Sequence, residues 1–242
     1  EAEAVVIAPA TANFLARAAQ GMATDLLSTL LLVTRAPVLL CPAMNDRMYS
    51  HPQTQNNLLH LSQALGYTVV GPGRGPLAVG EGEGRGRLVE PEEIVDHVGR
   101  ALATDSRWQG REILITAGPT REGVDPVRFL GNRSSGRMGF ALARAAWRRG
   151  ARVRLVAGPS ALPDPTGVET VRVESAREME EAVLERSSEA DVLVFAAAVA
   201  DYRPRDPRPA KVKRSRKGDG MELHLEPTSD ISLSSLAGRK PG

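Results

Sequence analysis

Short runs of β-branched and aliphatic residues alternate along this chain with longer stretches of helical period, and the alternation starts twice. A strand, a helix and another strand of this kind bury one another as repeated βαβ units around a parallel sheet. The pattern therefore predicts an α/β chain of two doubly wound domains with mainly parallel sheets, both incomplete. In the first, residues 4–8 (AVVIA) read as a buried strand and a helix begins near Phe14. Residues 37–41 (PVLLC) form a second strand, a helix covers about 53–65, and residues 68–70 (TVV) form a third strand. Residues 71–88 hold so much glycine that they predict a mobile loop rather than an element. Residues 91–103 close the unit as a helix, with Pro91 at its first position and acids in its first turn.

Residues 104–110 are short and polar, and beyond them the rhythm restarts, which predicts domains over 1–104 and 111–242 with a linker at 105–110. The second domain reads as a strand at 112–116, a long loop, a helix at 136–149, strands at 152–156 and 170–173, a helix at 176–188 and a strand at 192–196. After Asp201 come a proline- and lysine-rich loop, a strand-like MELHLE at 221–226, and no closing element. The chain opens on Glu1 rather than Met, so both ends read as those of a fragment.

Charge excludes some functions. Lys and Arg number 31 against 29 Asp and Glu, a formal net charge of +2, so no global field draws in nucleic acid or an anionic membrane. The single cysteine, Cys41, builds neither an internal disulfide nor a cysteine metal cluster, which points to a reducing compartment and the cytoplasm. The apolar stretch starting at Leu26 is broken by Ser28, Thr29, Thr34, Arg35 and Pro37 and is too short to span a bilayer. His51, His60, His97 and His224 show no metal-ligand spacing, and no nucleophile elbow is present.

Residues 116–139 (TAGPTREGVDPVRFLGNRSSGRMG) leave a strand, turn at Gly118 and enter an amphipathic helix through Ser134, Ser135 and Gly136. Such an entrance offers hydroxyls and unpaired N–H groups at the positive end of a helix dipole, a place for phosphate or equally a capped helix. The run from Gly131 to Gly136 imitates a P-loop, but Arg137 and Met138 stand where Lys and Ser/Thr belong. Asn132 can donate to and accept from a polarised acyl or phosphoryl oxygen, or merely form the turn. Residues 196–214 (AAAVADYRPRDPRPAKVKR) carry Asp201 to the carboxyl edge of the sheet, where open α/β folds bind ligands. Lys211 and Lys213 share one side of an extended segment and could neutralise a triphosphate, or lie in a solvated loop or a nonspecific nucleic-acid patch. In the first domain PATAN (9–13) and PAMNDRMY (42–49) both follow strands, so Asn13 and Asn45 converge at one edge, suited to a flavin ring or a carboxylate, or else to helix capping. The glycine-rich stretch would be a lid over them.

In this combination and order, PATAN, PAMNDRM and the glycine-rich flap, then GPTRE, DPVRFLGNRSSGRMG, AAAVADYR and AKVKR, closely resemble the bacterial bifunctional phosphopantothenoylcysteine decarboxylase and phosphopantothenate-cysteine ligase of coenzyme A synthesis. The resemblance spans nearly the whole chain and implies flavodoxin- or Rossmann-like domains. It implies that the second activates the carboxylate of 4'-phosphopantothenate with CTP and Mg2+ or Mn2+, forming an acyl-cytidylate that the cysteine amine then opens. By resemblance Asn132 stabilises that intermediate. Asp201 and Lys211 bind CTP, as does the loop Ser229, Asp230, Ile231, Ser232, in which Ser229 replaces a family proline. Gly118, Ala196, Ala197, Ser134, Ser135 and Gly136 complete the expected nucleotide site.

For the first domain the resemblance implies FMN-dependent decarboxylation of 4'-phosphopantothenoylcysteine to 4'-phosphopantetheine. Thr11, Ala12, Asn13, Ala43, Met44, Asn45 and Met48 would face flavin and substrate, with Tyr49 where the family has Trp. The family's flap cysteine is replaced by Val79, between Ala78 and Gly80, and Val79 has no proton to deliver. The family's catalytic histidine would lie before Glu1, and its last ligase strand after Gly242. The resemblance also implies a homo-oligomer and small-molecule partners only, without nucleic acid or membrane. Two other readings compete: a ligase carrying a noncatalytic flavin-binding scaffold, motivated by Val79, and a nicotinamide-dependent enzyme with a basic loop. The absence of a G-x-G-x-x-G before a helix speaks against the last.

Overall fold

The protein is described from a computed structural model covering residues 2–77, 82–104, 107–213 and 220–237. The chain divides into two compact units, Glu1–Thr104 and Asp105–Gly242.

The first unit is built on a three-stranded parallel sheet. Strand β1 (Val5–Ala10) leads into helix α1 (Ala12–Ala19), and helix α2 (Leu26–Val33) precedes β2 (Val38–Pro42). Helices α3 (Asp46–Ser50) and α4 (Pro52–Leu59) follow, the latter continued by a π-helical turn at His60–Ala64, before the short β3 (Thr68–Val69). Strand order is β1-β2-β3, with Val5 opposite Val38 and Leu39 opposite Thr68. All five residues of β2 are buried, as a central parallel strand covered on both faces requires. On one face Ile7, Leu15, Leu40 and Leu61 pack together, and on the other Leu39, Cys41, Val70 and Val89.

The glycine-rich stretch corrects the expectation of a loop: β4 (Gly73–Pro76) and β5 (Glu83–Arg87) pair antiparallel as a hairpin. Along β5 the glycines at 84 and 86 are buried and the charged residues between them exposed. Glycine spaced by two is therefore the strand period written with the smallest residue. Helix α5 (Pro91–Ala101) follows, with Pro91 in its first turn and Glu92 and Glu93 at its positive end.

The second unit has a four-stranded parallel sheet in the order β10-β9-β6-β11. Strand β6 (Glu112–Ala117) precedes a small antiparallel hairpin, β7 (Arg121–Gly123) and β8 (Phe129–Gly131), inside what the sequence read as one long loop. Helix α6 (Arg137–Arg148), strands β9 (Arg152–Ala157) and β10 (Glu169–Arg172), helix α7 (Ala176–Ser187) and strand β11 (Val192–Phe195) complete the winding. Phe140, Ala143 and Trp147 of α6 pack with Ile113, Ile115 and Leu155 on one face. Met179 and Val183 of α7 pack with Leu114 and Val156 on the other. Strands β12 (Tyr202–Pro204) and β13 (Leu225–Pro227) form a separate antiparallel ribbon. Helix α8 (Ile231–Ala237) corrects the expectation that nothing closes the unit: Ile231 is buried with Met179 and Val183, and the Ser234 hydroxyl donates to the Glu180 carboxylate at 2.8 Å. No helix among the described residues is long and apolar enough to cross a membrane.

Candidate functional site

In the second unit β6 and β11 are adjacent and parallel, with Val192 opposite Ile113 and Phe195 opposite Thr116, so the loops that follow them leave the same carboxyl edge. A ladder of hydrogen bonds joins those loops. The Ala196 N–H donates to the Thr116 carbonyl at 3.2 Å, and the Ala197 N–H to its hydroxyl at 3.3 Å. The Ala198 N–H donates to the Gly118 carbonyl at 2.8 Å, and the Ala200 N–H to the fully buried Thr120 hydroxyl at 2.9 Å. Asn132 adds a cross-brace, since its amide nitrogen donates to the carbonyls of Ala198 (3.3 Å) and Val199 (2.8 Å). Its two N–H groups are thereby used inside the fold. Of the two roles open to its amide, what Asn132 can offer a substrate in this arrangement is its oxygen, an acceptor.

A cavity of about 300 Å³ opens beside this ladder, lined by Phe195, Ala197, Val199, Asp201 and Thr228 together with Ser229, Asp230, Ile231 and Ser232. Thr228 holds the far wall in place: its hydroxyl donates to the Ala200 carbonyl at 2.6 Å and its N–H to the Asp201 carbonyl at 2.9 Å. Asp230 caps α8, accepting from the Ser232 N–H at 2.9 Å, the Ser232 hydroxyl at 2.6 Å and the Leu233 N–H at 3.1 Å. The Ser232 hydroxyl first, and then these backbone donors, hold the Asp230 carboxyl below the usual carboxylate range. The structure thus gathers Ala197, Asp201 and residues 229–232 from two distant parts of the chain.

The helix entrance is placed differently. Gly136 starts α6 in the left-handed region at φ 78°, open to glycine without steric cost. The Ser134 oxygen accepts from the Gly136 N–H at 3.3 Å and the Ser135 oxygen from the Arg137 N–H at 3.5 Å. Both hydroxyl oxygens thus face the backbone at the start of α6. Asn132, Gly118, Ala196, Ser134, Ser135, Gly136 and Lys211 do not line the 300 Å³ cavity. Lys211 is exposed on a segment anchored elsewhere: the neighbouring Val212 N–H donates to the Asp125 carboxylate at 3.1 Å. Thr116, Thr120, Thr228 and Asp125 carry the site's internal bonding and went unread in the sequence. For Asp125 the signal was present, an Asp-Pro dipeptide with Arg three residues on, the pattern of a side-chain-closed turn.

In the first unit Ala10 lies opposite Pro42, and the Ala43 N–H donates to the Ala10 carbonyl at 3.2 Å, so Thr11–Asn13 and Ala43–Asn45 do leave one edge together. Capping explains part of their chemistry. The Thr11 hydroxyl accepts from the Phe14 N–H at 3.3 Å to cap α1, and the Asn45 side-chain amide oxygen Oδ1 accepts from the Arg47 N–H at 2.9 Å to cap α3. Ala12 and Asn13 are the first two residues of α1, Asn13 exposed, and Met48 is exposed on α3. Met44 is half-buried, and its N–H donates to the Gly86 carbonyl at 2.9 Å. A methyl group at Gly86 would stand 2.1 Å from the Met44 carbonyl oxygen, so only glycine lets the hairpin lie this close. The Arg85 N–H donates to Asp46 at 3.3 Å, and the Arg85 guanidinium sits 5.8 Å from the Tyr49 ring centre. Val79, with Ala78 and Gly80, lies outside the described residues. Cys41 is fully buried, and burial pushes its thiol up to about 11. Among the described residues no group of three or more His, Cys, Asp or Glu is placed to hold a metal ion.

Residues 108–241 match the family described as DNA/pantothenate metabolism flavoprotein C-terminal domain, and residues 1–103 match the Flavoprotein family. The Vibrio cholerae protein described as coenzyme A biosynthesis bifunctional protein CoaBC is 46% identical over 99% of this chain and 60% of its own length. The Mycobacterium bovis protein of the same description is 50% identical over 90% of this chain and 53% of its own length. The chain thus spans no more than about 60% of these relatives. A crystal structure of the C-terminal domain of a CoaBC protein is 50% identical over 51% of this chain and 56% of that one, with a TM-score of 0.44.

Proposed function

Since the chain belongs to the DNA/pantothenate metabolism flavoprotein C-terminal domain family through residues 108–241, we propose that its second unit joins 4'-phosphopantothenate to cysteine at the expense of CTP. In the first step a carboxylate oxygen of 4'-phosphopantothenate attacks the α-phosphorus of CTP. The bond to the β-phosphate oxygen breaks, pyrophosphate leaves, and a mixed acyl-cytidylate anhydride remains. In the second the cysteine amine attacks the acyl carbon, the acyl–oxygen bond breaks, CMP leaves and the amine loses a proton. The 300 Å³ cavity beside β11 carries this reading, because it unites Asp201 with residues 229–232, the two segments expected to hold the nucleotide. Lys211 would neutralise phosphate charge, and Mg2+ would enter with the triphosphate. Asn132, with its N–H groups held by Ala198 and Val199, would receive the cysteine ammonium or amine on its oxygen in the second step.

The first unit is proposed to hold FMN at the edge carrying Thr11–Asn13 and Ala43–Asn45, which fits a flat polar ring because small residues and amide groups converge where the hairpin covers Met44. Bound there, FMN supplies two-electron oxidation of a cysteinyl thiol, the chemistry that labilises its carboxylate. Asn45 and Met48 would orient that substrate, and the hairpin would exclude water. The cytoplasmic location and self-association belong to the same proposal.

The test uses the full-length protein with CTP, 4'-phosphopantothenate and Mg2+. Pyrophosphate release without cysteine, followed by CMP release when cysteine is added, is the expected result. No pyrophosphate from a folded protein overturns the ligase reading. A yellow flavin spectrum with carbon dioxide release from 4'-phosphopantothenoylcysteine supports the decarboxylase reading, and a bound flavin without that release leaves the first unit a scaffold.

A further inference from the structure

The turn between β7 and β8 holds a carboxylate with no surface to serve. The Asp125 side chain is fully buried, yet it accepts five hydrogen bonds: from the N–H groups of Val127 and Arg128 at 2.9 Å each, from Arg128 Nε at 3.0 Å and Nη2 at 2.6 Å, and from the Val212 N–H at 3.1 Å. Arg128 returns the contact, its Nη2 donating to the Val212 carbonyl at 2.5 Å, and the Arg208 N–H donates to the Val124 carbonyl at 2.9 Å. One peptide unit on each side of Val212 is therefore gripped by an ion pair from another part of the chain. In an extended segment, fixing the N–H and C=O of one residue also fixes the direction in which its two neighbours project. Those neighbours are Lys211 and Lys213. The same turn runs from Arg128 through β8 (Phe129–Gly131) straight into Asn132, whose amide is braced on Ala198 and Val199.

We infer that Asp125, acting through its ion pair with Arg128, is a positioning residue that sets the place of Lys211 for the nucleotide step. The inference rests on the ligase reading above. Burial alone would raise the Asp125 carboxyl, but the N–H of Val212, the N–H of Val127 and the Arg128 donors outweigh it and keep the group ionised far below neutrality. The clamp is thus permanent across the pH range in which a nucleotide-using enzyme works. Such a brace, rather than a surface ion pair, is expected where a displacement of about 1 Å costs on the order of 10²-fold in rate.

The test compares Asp125→Ala and Asp125→Asn with Lys211→Gln, alone and combined, in the full-length protein. Hydrogen exchange at the Val212 amide and CTP-dependent pyrophosphate release are both followed. Asp125→Ala is expected to speed Val212 exchange by about 10-fold or more. It should also lower pyrophosphate release by about 10-fold to 10²-fold, with a raised KM for CTP and an unchanged KM for cysteine. In the Lys211→Gln background it should add nothing, because both changes remove the same placed charge. Asp125→Asn keeps the shape and loses the charge, and supplies the same comparison should the alanine variant not fold. Effects that multiply in the double variant, or a CTP step unchanged while Val212 exchange accelerates, overturn the positioning role. Unchanged Val212 exchange in Asp125→Ala overturns the clamp itself. Wild-type protein that releases no pyrophosphate overturns instead the ligase reading, and the exchange measurement then still decides the clamp.

Discussion

The two sheets each gather loops at the carboxyl edge of neighbouring parallel strands, but they secure those loops in different ways. In the first unit the covering element is held mainly by backbone against backbone, with Gly86 so close on Met44 that the space between them admits no side chain, and Asp46 adds a single side-chain bond to the Arg85 N–H. In the second unit polar side chains hold the backbone, with Thr116, Thr120, Asn132 and Thr228 each donating to or accepting from the loop at 196–201. Glycine contact allows close approach and nothing else. Side-chain bracing fixes position but consumes the donors that a substrate could otherwise use.

The largest expected effect tests that consumption. Asn132→Asp removes both N–H groups and places a carboxylate oxygen against the carbonyls of Ala198 and Val199, while leaving an oxygen on the open side. Transfer of the acyl group to cysteine should fall by about 10²-fold, roughly 2.7 kcal/mol of transition-state stabilisation, with pyrophosphate release reduced far less. Loss of CTP binding in a variant that still folds would show that Asn132 serves the nucleotide and not the second step. Gly86→Ala addresses the other kind of contact. With its methyl group 2.1 Å from the Met44 carbonyl oxygen, the hairpin must lift, at a cost of about 3 kcal/mol at the upper end for overpacking. Hydrogen exchange at Arg85 and at Met44 should accelerate together while that of β6 stays unchanged. Independent behaviour of the two amides would mean the hairpin is not docked as a unit. Thr120→Val, nearly the same shape without the hydroxyl, strands the Ala200 N–H and should cost about 1–2 kcal/mol by chemical denaturation. A neutral result would place water or another acceptor at that amide.

The same contrast decides what could be read from the sequence. Strands β2 and β6 were legible because a strand buried on both faces leaves a continuous apolar run, and α5 because Pro91 and its acids mark a helix start. The hairpin β4–β5 was not, since its period is carried by glycine, which propensity reads as a break even where alternation by two signals a close-packed strand. Helix α8 was hidden because Asp230 and Ser232 were read only as a nucleotide loop, whereas they form the helix cap and the cavity wall at once. Of the residues expected at the ligase site, Ala197, Asp201 and residues 229–232 line one cavity, whereas Asn132, Lys211 and the α6 entrance lie outside it. The bracing threonines were not legible, because a hydroxyl that bonds backbone 28 to 81 positions away leaves no local pattern, and Asp125 shows in sequence its own turn but not its bond to Val212. Lys211 shows the limit of reading a charge by its neighbours in sequence, for its place is set by a turn 84 residues away.

The smallest expected effect lies in α2, where neither kind of contact does much. Of its apolar residues only Leu31 reaches the core, while Leu26 at 82% and Val33 at 70% exposure face outward, so burial contributes little to keeping this short helix formed. Its start is held instead by Asp25, which accepts from the Ser28 N–H and hydroxyl at 2.8 Å each and from Arg17 Nη1 at 2.5 Å. The Ser28 N–H first, then Arg17 and the Ser28 hydroxyl, hold the Asp25 carboxyl down at about 2 against an ordinary 3.8. A group whose folded value is depressed contributes its stability above the unfolded value and loses it on acidification, so the cap is at full strength above about pH 4 and fades as pH falls through about 2. The Ser28 amide resonance should titrate with a midpoint near 2, and Asp25→Asn should abolish the titration while keeping a competent cap. A midpoint near 3.8 would mean that Asp25 is unpaired in solution and that α2 owes its formation to contacts beyond its cap.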